Sequence, residues 1–351
     1  MQPLTLYVLD LSRPAGDDPD AVITRREVTD AVLRTDDLGV TRGDGIFETI
    51  LVHHGLPQAM DPHLDRFARS AAMMDLPVPE RELWRRAVEV TAAEMAPHAP
   101  FAAVKFVMTR GVETEEIPTG FAYGFVPDDP TRARLDGIDV VLLDRGYRHD
   151  VSETSPWLLQ GAKTLAYAIN KAALREAARR GAHDVIFVSS DGYVLEGPNS
   201  TLIARIDSTY VTIPTSLGVL PGTTQGDVFA ALDLVGAQTR VGELFPADLS
   251  RADAMWLCSS TRGAAPVRSL DGTPVAVDHD VTAMMNDALG RARGDGADDS
   301  GDRRPQRSGV GMPGDPRLPC RRARRPGPPP AHRHSASARR RGARPVLVGV
   351  G

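Results

Sequence analysis

Lysine is scarce in this chain: Lys105, Lys163 and Lys171 are the three present in 351 residues that hold 41 lysines and arginines together. Arginine can replace lysine wherever a positive charge suffices, but its guanidinium stays protonated and cannot serve as a Schiff-base amine. A lysine kept against that background is a candidate nucleophile, and its position has to decide. Cysteine is scarce as well. Cys258 stands in an apolar run and Cys320 in a C-terminal stretch of different composition, which excludes a disulfide framework and a cysteine metal spacing. Cys258 reads as a small buried apolar residue. No run reaches the roughly 18 apolar residues of a membrane span, and Met1 to Asp10 lacks a basic segment followed by an apolar one. Neither a span nor a signal peptide is expected, and the cytoplasm is the default location.

Hydrophobic residues make up 42% of the chain, enough to bury a core in two ordinary domains or one large one. The net charge of -5 conceals an asymmetry: Asp302 to Gly351 carries 13 arginines against 2 aspartates, a balance of +11, which leaves the body at -16. The basic segment is rich in Pro and Gly and has almost no apolar periodicity, so 294–351 is expected to be a disordered tail. It reads as an electrostatic arm for nucleic acid or as a non-functional extension, and the second is favoured because no aromatic or folded motif accompanies the charges. The acidic body argues against nucleic acid as the main ligand.

Period-2 patterning predicts strands at Leu4 to Asp10, Ile46 to His54, Phe101 to Thr109, Phe121 to Val126 and Ile138 to Leu143, with helices at His63 to Met74 and Glu80 to Met95. Polar, Pro-containing sequence from Asp144 to Trp157 reads as a link. Beyond it a helix is predicted over Thr164 to Arg180, stopped by Gly181. Short strands follow at Asp184 to Ser189, Tyr193 to Glu196, Ser200 to Ala204, Thr209 to Ile213, Met255 to Cys258 and Pro266 to Leu270, with helices at Gln225 to Val235 and Val281 to Arg293. Grouped strands and helices of this kind indicate an α+β fold, divided as 1–145, 146–293 and the tail 294–351.

On the predicted Thr164 helix, Lys163 and Tyr167 are four residues apart and share a face, so an amine and a phenol can enter one cavity. The run Asp191 to Thr201 is a turn, a short strand and a break, which places Glu196 at a strand end. Leu217 to Asp227 is a Gly/Pro loop opening a helix, whose first amides suit an anion. Amine, phenol, carboxylate and anion loop are the parts a pyridoxal phosphate enzyme needs. Other residues have plainer readings. Lys171 heads a charged stripe with Arg175 and Arg179 and reads as solvated. Lys105 and Arg110 either lie at a sheet edge or reach a substrate carboxylate. Gly43-Asp44-Gly45 is a tight turn into a strand, and His63 is a packing or capping residue, since no second ligand stands at a metal spacing.

From about Asp36 to Arg293 the chain resembles the class IV aminotransferases, the fold-type IV pyridoxal phosphate enzymes. The resemblance rests on Arg42 to Thr49, His63-Leu64-Asp65-Arg66, Thr109-Arg110-Gly111, Leu195-Glu196-Gly197 and Leu220-Pro221-Gly222-Thr223-Thr224, in the family order. It implies a two-domain enzyme, a homodimer, with pyridoxal 5'-phosphate as cofactor and no metal. Lys163 would form the Schiff base and act as acid and base. Glu196 would bond the pyridinium nitrogen and Tyr167 the ring oxygen. Arg66, Thr223, Thr224 and Ser260 would hold the phosphate, and Lys105 and Arg110 the substrate. The arginine that usually follows the phosphate-loop threonine is replaced by Gln225. The Arg-x-His pair characteristic of D-amino-acid aminotransferases is missing after Gly111, and the Gly-Gly-Asn-Tyr run of the branched-chain enzymes is missing after Lys163. The stretch Lys163 to Arg175 is most similar to the aminodeoxychorismate lyase type, which implies release of pyruvate and 4-aminobenzoate. The alternative is an amino-acid transaminase, of the branched-chain or D-amino acid type, using a 2-oxo acid acceptor.

Overall fold

The computed structural model describes residues 3–291. The basic tail and Cys320 lie outside the described residues. Two sheets organise the rest. The first has the order β2-β1-β6-β5-β3-β4, built from β1 (Leu4–Leu9), β2 (Ile23–Arg26), β3 (Gly45–His53), β4 (Leu56–Pro57), β5 (Phe101–Thr109) and β6 (Thr119–Phe125). All its pairings are antiparallel. The Met60–Met73 and Arg81–Met95 helices pack on it. The second helix buries Leu83, Trp84, Ala87, Val88, Thr91, Ala92 and Met95, the three-and-four spacing of a helix with one apolar face. Phe67, Trp84 and Phe106 meet at the centre of this core, Phe67 lying 4.8 Å from each of the other two rings. Edge-to-face contacts of this kind add to the area that the rings bury.

The second sheet contains β7 (Ile138–Asp144), β8 (Asp184–Val188), β9 (Thr201–Ile206), β10 (Thr209–Thr212), β11 (Gln238–Val241), β12 (Ala254–Ser259), β13 (Gly263–Leu270) and β14 (Thr273–Pro274). Its order is β11-β10-β9-β12-β13-β7-β8, with β14 on β13. The pairs β10/β11, β13/β7 and β7/β8 are parallel, and the Ala168–Arg179, Thr223–Leu234 and His279–Arg291 helices accompany it. One antiparallel and one mixed sheet, with helices grouped against them, make this the α+β architecture expected from the patterning.

Three elements depart from the sequence reading. Tyr193 to Glu196, read as a short strand, forms only an isolated antiparallel bridge of Val194 with Val188. Ile138–Asp144, read as the last strand before the link, pairs with β8 and β13 in the second sheet; periodicity identifies a strand but carries nothing about its partner. The helix predicted from Thr164 begins at Ala168, with Tyr167 as its N-cap. Residues 163–166 instead run against β3. Ile46 and Thr164 form an antiparallel bridge, Phe47 N donates to Lys163 O at 3.1 Å, and Leu165 N donates to Gly45 O at 2.8 Å. Helix propensity yields here to two backbone bonds that only the folded chain can supply.

Candidate active site

β3 sorts its side chains into two environments. Ile46, Glu48, Ile50 and Val52 point into the core and are fully buried, while Phe47 and Thr49 face a cavity of about 680 Å³, as the two-residue period of a strand requires. In β5, Lys105 pairs with Thr49 and opens on the same cavity. The bridge to β3 brings Lys163 in beside them. Gly45 permits that approach, because a Cβ there would lie 2.7 Å from Met108 O and 2.8 Å from Leu165 Cδ1.

The Lys163 residue is half-buried because one side opens on the cavity. Its amine is enclosed, and burial, helped by the nearby Arg66 guanidinium, pulls its pKa from 10.5 down to about 8. Nζ stands 4.7 Å from the centre of the Phe47 ring, and Lys105 Nζ stands 5.2 Å from the same ring and 5.7 Å from that of Tyr123. The aromatic faces hold both ammonium groups without neutralising them.

Glu196 lines the same cavity, its Oε1 accepting the Leu220 amide at 3.1 Å. Burial raises its pKa to about 7 against the opposing pull of that bond and of Lys163, so the carboxylate is poised for a cationic partner. Tyr167 packs edge-on against Phe47 at 5.4 Å. Its hydroxyl contacts Pro198 O and Asn199 Oδ1, and burial lifts its pKa to about 12. Asn170, one turn into the helix, donates to Pro198 O at 2.8 Å and supports that loop.

The cavity wall also contains an anion cup. Gly222 caps the Thr223–Leu234 helix with no side-chain bond to its first amides, and a Cβ at Gly222 would sit 2.3 Å from Thr201 Oγ1. Thr224 Oγ1 is buried without a partner. Such an orphaned donor beside free helix amides fits a phosphoryl group. Arg66 completes the wall. Its Nε and Nη2 each donate at 2.7 Å to the two oxygens of Glu48, and Nη1 donates to Pro221 O at 2.8 Å, which leaves further guanidinium hydrogens for a ligand. Ser260 and Thr223 line the same cavity.

The structure therefore gathers Lys163, Tyr167, Glu196, Arg66, Thr223, Thr224, Ser260 and Lys105 around one space. Arg110 is the exception. Its Nε donates to Asp44 Oδ2 at 2.8 Å and its Nη2 to Met74 O at 2.6 Å, so it ties a turn to a helix end and is not among the cavity residues. Lys171, read as solvated, is exposed at the cavity rim. Glu48 escaped the sequence reading as a site residue, although a charged residue in register with Ile46 and Ile50 on a strand's apolar face was the available signal. His63 is more than packing: its Nδ1 lies 2.8 Å from Glu48 Oε2.

An enclosed amine of lowered pKa, with a carboxylate and an anion cup in the same cavity, defines a fold-type IV pyridoxal phosphate enzyme. The chain belongs to the amino-transferase class IV family, whose sequence profile matches residues 45–270. A bifunctional aminodeoxychorismate lyase / D-amino acid transaminase of Mycobacterium tuberculosis is 44% identical over 273 residues, which are 73% of this chain and 93% of that protein. A fold IV-transaminase of Curtobacterium pusillum superposes with a TM-score of 0.78 at 46% identity, over 82% of this chain and 99% of its own. A hypothetical aminotransferase of Mycobacterium tuberculosis in its PLP-bound form gives 0.75 at 37%, over 82% of this chain and all 100% of its own. Among the described residues, no helix is long and apolar enough to cross a membrane.

Proposed function

We propose that this protein is a 4-amino-4-deoxychorismate lyase of folate biosynthesis, dividing its substrate into pyruvate and 4-aminobenzoate. The observation that carries this reading is the enclosed Lys163 amine, held by a backbone bridge in the same cavity as Glu196 and the anion cup. The lyase activity is supported by the Mycobacterium tuberculosis relative, which bears that activity in its name.

When bound, pyridoxal phosphate withdraws electrons from the carbon next to a captured amine and so acidifies its hydrogen. Lys163 Nζ would hold the cofactor as its Schiff-base amine and would serve as the acid and base beside it. An amine with a pKa of about 8 can do both near neutrality. Glu196 would hold the ring nitrogen with a charge-assisted bond. Tyr167 OH would bond the ring oxygen. Arg66, Thr223, Thr224 and Ser260 would grip the phosphate, and Lys105, free of any carboxylate of its own among the bonds described above, would receive a substrate carboxylate. Arg110 is left out of the substrate set. With this activity go a cytoplasmic setting, a homodimer, and a division between an N-terminal domain and a cofactor-binding domain.

The second reading is a D-amino acid transaminase, favoured by the same relative's double name. One preparation decides among them. The purified protein should be yellow, with an absorbance band that borohydride bleaches and that Lys163→Ala lacks; a protein colourless even after cofactor addition defeats the enzyme reading. Supplied with aminodeoxychorismate and no keto acid, a lyase releases pyruvate and 4-aminobenzoate over many turnovers. Arrest after a single turnover points to the transaminase.

A further inference from the structure

Glu48 and His63 have no part in the roles assigned above, yet they are 0% and 1% exposed. They form a chain that ends in the anion cup. His63 Nδ1 meets Glu48 Oε2 at 2.8 Å, and Nε2 lies 3.3 Å from Thr223 Oγ1 and 3.3 Å from Ser260 Oγ. Burial works to raise the Glu48 pKa, but Arg66 on both of its oxygens, with His63, holds it well below the usual carboxylate range. An ionised carboxylate only accepts, so the hydrogen between the two side chains belongs to Nδ1. The approach of Arg66 Nη2 to Nδ1 at 3.5 Å then joins two donors and is no hydrogen bond. In the neutral ring Nε2 is an acceptor, and a hydroxyl of Thr223 or Ser260 has to donate to it. A hydroxyl carries one hydrogen, so the one that serves the ring has none for an anion.

Resting on the reading of this loop as a phosphate cup, we propose that His63 is a positioning residue that takes up a proton from solvent when a phosphoryl dianion binds. Nε2–H then donates to a hydroxyl oxygen, and the hydrogens of both Thr223 and Ser260 turn to the phosphoryl group. No covalent bond other than the new N–H is made, and the proton leaves water for Nε2. The groups facing the ring set the balance. Burial favours the neutral form most; Glu48 from β3 favours the imidazolium; Arg66, one turn along the same helix, and Lys163 oppose it, with the ring's pKa below its ordinary value as the result. A dianion seated beyond the two hydroxyls adds the negative charge that tips the ring to its cationic form.

The test uses the full chain freed of cofactor, with ¹⁵N-labelled histidine, and methyl phosphate as the probe. At pH 8 a phosphate monoester, with its second pKa at about 6, is a dianion. The His63 signals are assigned among nine histidines by their loss in His63→Gln. Saturating methyl phosphate is expected to convert Nε2 from an acceptor to a protonated nitrogen. A ring that stays neutral while methyl phosphate binds overturns the proposal and leaves the cup standing; no binding at all overturns both. In His63→Gln, which keeps an amide in place but cannot become a cation, affinity at pH 8 should fall roughly tenfold. Its dependence on pH between about 6 and 9 should also flatten, and a profile like that of the wild type contradicts the relay. Thr223→Val combined with Ser260→Ala removes both hydroxyl links and, should His63→Gln not fold, identifies the ring independently. There the probe should leave Nε2 unprotonated, and protonation as in the wild type refutes the route through the hydroxyls.

Discussion

Lys163 shows what a residue's neighbours do to its chemistry. An amine with an ordinary pKa of 10.5 is almost wholly protonated at neutral pH and is a poor nucleophile, whereas enclosure beside Arg66 brings it to about 8. The sign of the pH effect follows: depression favours the free amine, so the reactive form is scarce below pH 8 and dominant above it. The rate at which cofactor-free protein captures pyridoxal phosphate should climb by up to roughly tenfold per pH unit below 8 and level off above, followed as growth of the absorbance band. A rate already flat from pH 6 upward would mean that the amine is not held as described. The lysine itself was legible, because three lysines leave few candidates and Tyr167, Glu196 and the Gly222 loop stand at telling distances from one of them. Of the two readings of Arg110, a sheet-edge residue or a substrate ligand, its observed partners fit the first for a residue-scale reason: an arginine at a strand end has five donors to satisfy, and Asp44 with the Met74 carbonyl satisfies part of that need.

At the scale of elements, the instructive segment is 163–166. Its composition favours a helix, yet the chain delays the helix until Ala168, because β3 offers two backbone bonds to Lys163 and Leu165. Amine and phenol still reach one cavity, but by a bridge and an N-cap rather than by one helical face. Gly45 is where this can be tested. A methyl group there would press on Met108 O at 2.7 Å and on Thr109 Cα at 2.9 Å as well as on Leu165. Gly45→Ala should lower stability by about 1–3 kcal/mol in denaturant unfolding and weaken cofactor binding with it. Lost stability with undiminished cofactor affinity would show that the bridge does not place Lys163. β3 also explains why Glu48 was hidden: patterning marks its position as a core position, and only the partner helix reveals that Arg66 and His63 are there to meet a carboxylate.

On the scale of the whole molecule, two sheets hold the parts of the site: Phe47, Thr49 and Lys105 come from the first, with Lys163 bridged to it and Arg66 on a helix packed against it, while Glu196, Thr223, Thr224 and Ser260 belong to the second half of the chain. The strand Ile138–Asp144 illustrates the limit of reading along a chain, since its hydrophobic pattern suits either sheet and its pairing with β8 and β13 places it in the second. The family match ends at residue 270, ahead of the basic segment. A chain cut after Arg293 is therefore expected to keep the yellow band and the full turnover rate. Activity lost on truncation would give the +11 segment a role in the enzyme.

Local composition and spacing by themselves determined the α+β class, most strands and helices, the choice of Lys163 and the order of the motifs, because these depend on side-chain periodicity and on groups close in sequence. Tertiary structure alone decided the bridge that holds Lys163, the removal of Arg110 from the cavity and the chain from Glu48 through His63 to Thr223 and Ser260. Each of these joins residues far apart in sequence, where burial and hydrogen-bond partners are set by the packing of whole elements.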